Sequence, residues 1–179
     1  LGKKIATIMS TQLPLQFEFR ANQTFADFFV GSNQEIVSHL QNSVAGNGEL
    51  HIFLWGQTGL GKTHLLQACC HLAQRLNRSS FYLDLAATKL PDPAILTGLD
   101  TLDLVCFDNI EKIADKPDWE MAFFHFFNQH RDSDHTLITT ASCLPNEINI
   151  QLPDLKTRLN WGLTLKIQPL IDNDRVTAL

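Results

Sequence analysis

Apolar positions along the chain change period several times, and each change marks an element. Leu50-His51-Ile52-Phe53-Leu54-Trp55 is a short, mostly apolar run closed by glycine, the pattern of a strand buried on both faces. Leu65, Leu66, Cys69, Leu72, Ala73 and Leu76 then fall on one side at helical spacing. Residues 80–85, 102–107, 136–140 and 163–167 read as further strands. Between them, Pro91 and Pro93 open a short helix through Leu99, residues 119–127 form a helix rich in Phe, and Pro153 starts a short helix to Leu159. Upstream, Ile36, Val37 and Leu40 are spaced for a helix with Ser32 or Asn33 as its cap and Gly46-Asn47-Gly48 as the closing turn. Strands alternating with helices predict an α/β domain with a mainly parallel five-stranded sheet flanked by helices.

The two ends read differently. Residues 10–24 are polar and extended-looking, with Pro14 in the middle. The chain begins at Leu1, and Met9 is the expected natural start. Residues 1–23 are read as a flexible tail, 24–170 as the folded domain, and 171–179 as the start of a new helix.

Composition narrows the class. The 179 residues include 44% apolar types and only 18% charged ones, enough apolar material for a core and too much for general disorder. No apolar run reaches the ~18 residues that a membrane helix needs. The first nine residues lack the apolar stretch of a signal peptide. A net charge of −5 argues against a dedicated DNA-binding domain, which carries an excess of Lys and Arg. Cys69, Cys70, Cys106 and Cys143 form no CxxC pair, and each sits in or beside an apolar segment, as reduced buried cysteines do.

One motif carries chemistry. Gly56-Gln57-Thr58-Gly59-Leu60-Gly61-Lys62-Thr63 fits GxxxxGK[ST] at every fixed position, after an apolar strand and before an amphipathic helix. The glycines let backbone N–H groups turn toward phosphate oxygens. Lys62 supplies a charge for the β and γ phosphates, Thr63 a hydroxyl for Mg²⁺, and the following helix its N-terminal dipole. Leu104-Val105-Cys106-Phe107-Asp108 is an apolar strand ending in an acid, which makes Asp108 the second Mg²⁺ ligand, directly or through water. The next residue, where many P-loop ATPases carry an acid that orients the attacking water, is Asn109. An amide holds a water but cannot take its proton, so slow or negligible intrinsic hydrolysis is expected. Glu111, two residues further on, points elsewhere if the strand continues, and is read as a solvated carboxylate rather than a displaced base. Thr140, at the end of the strand 136–140, is the candidate sensor of the γ-phosphate, although threonine also simply suits strands.

With these residues and Leu155-Lys156-Thr157-Arg158-Leu159-Asn160-Trp161-Gly162 assembled, the sequence from about Thr24 onward resembles AAA+ ATPases of the DnaA initiator branch. The Asp-Asn pair at 108–109, Leu152-Pro153-Asp154-Leu155 and Asn160-Trp161-Gly162 are most similar to the Hda-like regulators within that branch. The resemblance implies ADP or ATP with Mg²⁺ as cofactors. It implies a base pocket near Asp27, Val30, Gly31 and Asn33, where Phe25 and Phe28 are pocket wall or plain core. It implies that Arg158 is an arginine finger offered in trans to a neighbour's nucleotide; by residue type alone, Arg158 equally caps a short helix. Residues 171–179 correspond to the beginning of a helical lid, whose remainder and second sensor arginine these residues lack.

The tail adds a partner. Gln12-Leu13-Pro14-Leu15-Gln16-Phe17 resembles the peptide with which proteins dock on the bacterial sliding clamp. Leu15 and Phe17 would enter an apolar groove while Gln12 bonds at its rim. The implied function is negative regulation of replication initiation: docking on the clamp, which reaches DNA only indirectly, and promoting hydrolysis of ATP on DnaA. The alternative is a DnaA-paralog or helicase-loader type that hydrolyses its own ATP. Either reading is cytoplasmic, without membrane contact, and allows a homo-oligomer.

Overall fold

The computed structural model describes Arg20 and residues 22–170. The clamp-type peptide with Gln12, Leu15 and Phe17, and the expected lid helix at 171–179, lie outside these residues.

The described chain runs α1 (Gln34–Val44), β1 (His51–Trp55), α2 (Lys62–Arg75), β2 (Ser80–Asp84), β3 (Leu104–Asp108), α3 (Pro117–Arg131), β4 (Thr136–Ala141), α4 (Pro153–Leu159) and β5 (Leu163–Lys166), with 3₁₀ turns between several of them. The sheet is five-stranded in the order β2-β3-β4-β1-β5, and every pairing is parallel. Sequence order and spatial order differ at one telling place. β4 lies between β1 and β3, so the strand carrying Thr140 separates the strand before the P-loop from the strand ending in Asp108.

Burial explains the pattern. β3 and β4 are buried at every position, which is why they read as unbroken apolar or β-branched runs. β5, at an edge, alternates half-buried Leu163 and Leu165 with exposed Thr164 and Lys166. One core layer packs α1 and α2 on the sheet through Leu40, Leu54, Leu65, Cys69 and Cys106. The other packs α3 and α4 on the opposite face through Phe53, Phe107, Phe123, Phe126 and Leu155. Phe107 meets Phe123 and Phe126 edge-on, at 5.1 and 5.6 Å between ring centroids.

Three local expectations change. The helix expected over 91–99 is instead two 3₁₀ turns, Pro93–Leu96 and Leu99–Thr101, because Gly98 takes a left-handed φ of 84° between them. Asn33 precedes α1 without capping it. Its amide instead bridges the backbone of Gln168, donating to the carbonyl at 3.0 Å and accepting the N–H at 2.7 Å. Finally, α3 extends beyond Phe127 to Arg131. His130, polar by type, belongs to the core there. It is fully buried, 5.3 Å from the Phe126 ring and 6.1 Å from both His51 and His135, and neither ring nitrogen has a hydrogen-bond partner.

Burial, with His51 and His135 nearby, pushes the His130 pKa down to about 3. The folded protein therefore keeps His130 neutral, and the unfolded chain takes up the proton first. The stabilisation is complete above the ordinary value near 6.5 and is lost as pH falls toward 3. Between pH 7.5 and pH 5 this group alone is expected to cost about 2 kcal/mol. Urea unfolding at the two pH values measures it, and His130→Phe is expected to remove most of the difference.

Candidate functional site

The P-loop spans residues 56–61, between β1 and α2. Two of its glycines are required by contacts. At Gly56 a Cβ would lie 2.4 Å from Ile167 Cγ2, and at Gly61, with φ 93°, it would lie 2.8 Å from Phe28 Cε2. No side chain caps α2, so its first N–H groups remain open toward the loop. Lys62 is buried, and its ammonium donates to the carbonyls of Gly56 at 2.6 Å and Gln57 at 2.9 Å. Burial lowers its pKa, while the carboxylates of Asp108 and Glu111 oppose that shift.

Asp108 is 1% exposed at the C-terminal end of β3 and gathers hydroxyls from three neighbours. Its Oδ2 accepts from Thr63 Oγ1 at 2.5 Å and from Tyr82 at 3.2 Å, and its Oδ1 accepts from Thr140 Oγ1. Tyr82 stays a donor, since burial and the adjacent Asp108 push its pKa far up. Thr140 Oγ1 also accepts the Asn109 N–H at 3.1 Å. The expected residues Lys62, Thr63, Asp108, Asn109 and Thr140 are thus brought together around one strand end. A hydroxyl beside a carboxylate is an oxygen donor set of the kind Mg²⁺ takes, with phosphate oxygens completing the shell.

Two cavities meet over the P-loop. A mostly apolar one of about 270 Å³ is lined by Phe28, Phe29, Asn33, Leu60, Gln168 and Leu170, and a polar one of about 660 Å³ by Thr58, Lys62, Thr63, Asn109, Glu111 and Ser142. Gly59, Gly61 and His64 border both. An apolar slot continuous with a polar basin suits a base joined to a polyphosphate. Asn33 lines the apolar slot but holds Gln168 with its amide, so it shapes the wall. Val30 packs at the edge of the α1/α2 core, and its carbonyl accepts the Asn33 N–H at 2.8 Å. Phe28 serves both core and slot, stacking edge-on against His64, whose Nε2 is 2.7 Å from the Thr24 carbonyl.

Glu111 departs from expectation. β3 stops at Asp108, Asn109 adopts φ 59°, and a 3₁₀ turn brings Glu111 back to the polar basin. Its half-buried carboxylate is held by Ser142 through exposed bonds to Oε1, while Oε2 is covered. The Asn109 amide donates to Asp84 Oδ1 at 2.8 Å.

Arg158 lines neither cavity. On α4 its Nε donates to Asn128 at 3.0 Å, and its guanidinium lies 3.9 Å from the Trp161 ring centroid and 5.9 Å from Phe124. Glu120 sets the entry to this helix: buried at 2% exposure, it accepts the N–H groups of Asp115, Gln151 and Leu152. Motif reading overlooked Tyr82, Asp84, Glu120 and Ser142. Tyr82 and Asp84 sit at strand positions whose meaning depends on register with β3, where Tyr82 pairs with Cys106 and Asp84 with Asp108.

Comparison with known proteins places this geometry. DnaA from Aquifex aeolicus bound to AMPPCP superposes with a TM-score of 0.77 at 22% identity, over 88% of this chain and 52% of that one. Domain III of Thermotoga maritima DnaA gives 0.76 at 22% identity, over 90% and 73%. A protein from Neisseria meningitidis, NMB1076, gives 0.54 at 25% identity, over 94% and 100%. The chain spans about half the length of the DnaA initiators it matches, as with the 52% of the Aquifex protein. Residues 19–166 match the family described as the bacterial DnaA ATPase domain, and the chain therefore belongs to that family, as an α/β AAA+ P-loop core.

Proposed function

We propose that this chain is an ATP-binding module of replication initiation that binds ATP with Mg²⁺ and hydrolyses it slowly, in the manner of a DnaA paralog or helicase loader. The observation that carries the reading is the 2.5 Å contact between Thr63 and Asp108 beside a buried Lys62. It joins the two ends of a P-loop site in one oxygen cluster. When bound, the Mg²⁺ supplies charge for the phosphate oxygens. The chain's own part is positional: Lys62 leaves two loop carbonyls for phosphate, the α2 N–H groups bond the same anion, and Thr140 fixes the Asp108 carboxylate and the Asn109 backbone.

Lys62→Ala removes a charge-assisted contact to phosphate and is expected to weaken Mg²⁺–ATP binding by about 10- to 100-fold. Isothermal titration calorimetry measures this, and unchanged affinity contradicts the reading.

A second reading has its own support. Arg158 stands on a half-exposed aromatic surface with Trp161, outside its own phosphate basin, as suits a group that serves a neighbouring nucleotide. In that Hda-like role the chain docks on the sliding clamp through Gln12, Leu15 and Phe17, presents Arg158 to ATP held by DnaA, and works in the bacterial cytoplasm at clamp-bearing DNA. Arg158→Ala is then expected to lower stimulated hydrolysis on DnaA by about 10³-fold or more with clamp binding intact. Normal stimulation by that variant removes this reading and leaves the first.

A further inference from the structure

The turn after β3 exchanges one carboxylate position for another. Asn109 occupies the place that follows Asp108, and its amide is engaged by Asp84. The left-handed Asn109 and the 3₁₀ turn Ile110–Ile113 bring Glu111 to the wall of the basin that Lys62 and Thr63 also line. Among the described residues, Glu111 is the one carboxylate lining that basin. Its orientation is fixed from the end of β4. The Ser142 N–H and hydroxyl both donate to Oε1, at 3.2 and 2.8 Å. The other oxygen, Oε2, is buried and has no hydrogen-bond partner. Solvent reaches the half-buried side chain at its Oε1 edge, where both bonds from Ser142 are exposed, so a basin water meets the carboxylate there. The charge of Glu111 also reaches Lys62, where together with Asp108 it opposes the effect of burial.

We infer that Glu111 is the carboxylate that orients and deprotonates the attacking water when ATP bound at this P-loop is hydrolysed, replacing the acid missing at position 109. The inference rests on the proposed hydrolysis of ATP by this chain itself. In the step, the Glu111 carboxylate accepts a proton from the water at its exposed edge as the water oxygen bonds to the γ-phosphorus. The bond from the γ-phosphorus to the β–γ bridging oxygen breaks, and its electron pair leaves with ADP. Ser142 acts through Glu111 as a positioning residue.

Two measurements on the full chain test this: affinity for the non-hydrolysable analogue AMPPCP with Mg²⁺, and single-turnover hydrolysis of ATP. Glu111→Gln keeps the size and the acceptor for Ser142 but cannot take a proton. It is expected to bind AMPPCP within about twofold of the unaltered chain and to hydrolyse ATP about 10²-fold more slowly. Ser142→Ala removes the hydroxyl donor to Oε1 and keeps the backbone N–H donor, and is expected to slow hydrolysis by a smaller factor at unchanged affinity. Unaltered rates in both variants overturn the assignment while leaving the ATPase reading intact. A Glu111→Gln chain that loses affinity in proportion to rate overturns it too, because Glu111 then only shapes the site. An unaltered chain that binds AMPPCP but never turns ATP over overturns the hydrolysis reading, and this inference with it.

Discussion

The carboxylate of Asp108 holds the nucleotide side of the molecule together. It is almost fully buried at the end of the strand β3, and it is stabilised there by hydroxyls from Thr63 on α2, Tyr82 on β2 and Thr140 on β4. A charge so placed is tolerable only with such donors. In accepting them it fixes the start of the P-loop helix against the two strands that flank β3. The insertion of β4 between β1 and β3 is what brings Thr140 within reach. Without that strand order, a P-loop and an acidic strand end would still be present, but nothing would hold the backbone of Asn109 or set the direction in which the chain leaves β3.

A second buried carboxylate organises the opposite layer. Glu120 takes the N–H groups of Asp115, Gln151 and Leu152, and so ties the start of α3 to the segment that enters α4. Arg158 follows on that helix, against Trp161 and Phe124. The molecule thus carries two polar constructions on separate elements. One faces the polar basin over the P-loop. The other presents a cation on a half-exposed aromatic surface. That separation is why a nucleotide-binding reading and a regulatory reading both find support in one chain.

Much of this was legible in the residues. The P-loop, the acidic strand end and the alternation of strands and helices are local patterns, and GxxxxGK[ST] between an apolar strand and an amphipathic helix leaves little freedom. What stayed hidden was set by tertiary placement. His130 has the composition of a helix end yet completes a core of aromatic rings. Asn33 has the profile of a cap yet bridges to Gln168, far along the chain. Glu111 looked solvated because continuing β3 would turn it away. The left-handed Asn109 turns the chain back so that Glu111 lines the basin, and a positive φ at a non-glycine position is not written in the hydrophobic pattern. Tyr82 and Asp84 acquire their partners only through the register of β2 on β3.

The central claim is that Thr63 and Asp108 form a metal-dependent phosphate site. The most direct test is the affinity of the chain for ATP by calorimetry, with Mg²⁺ present and with the metal chelated. The account predicts a loss of about tenfold or more on chelation, and a matching insensitivity to Mg²⁺ in Asp108→Asn. Equal affinity with and without Mg²⁺ in the unaltered chain would contradict it.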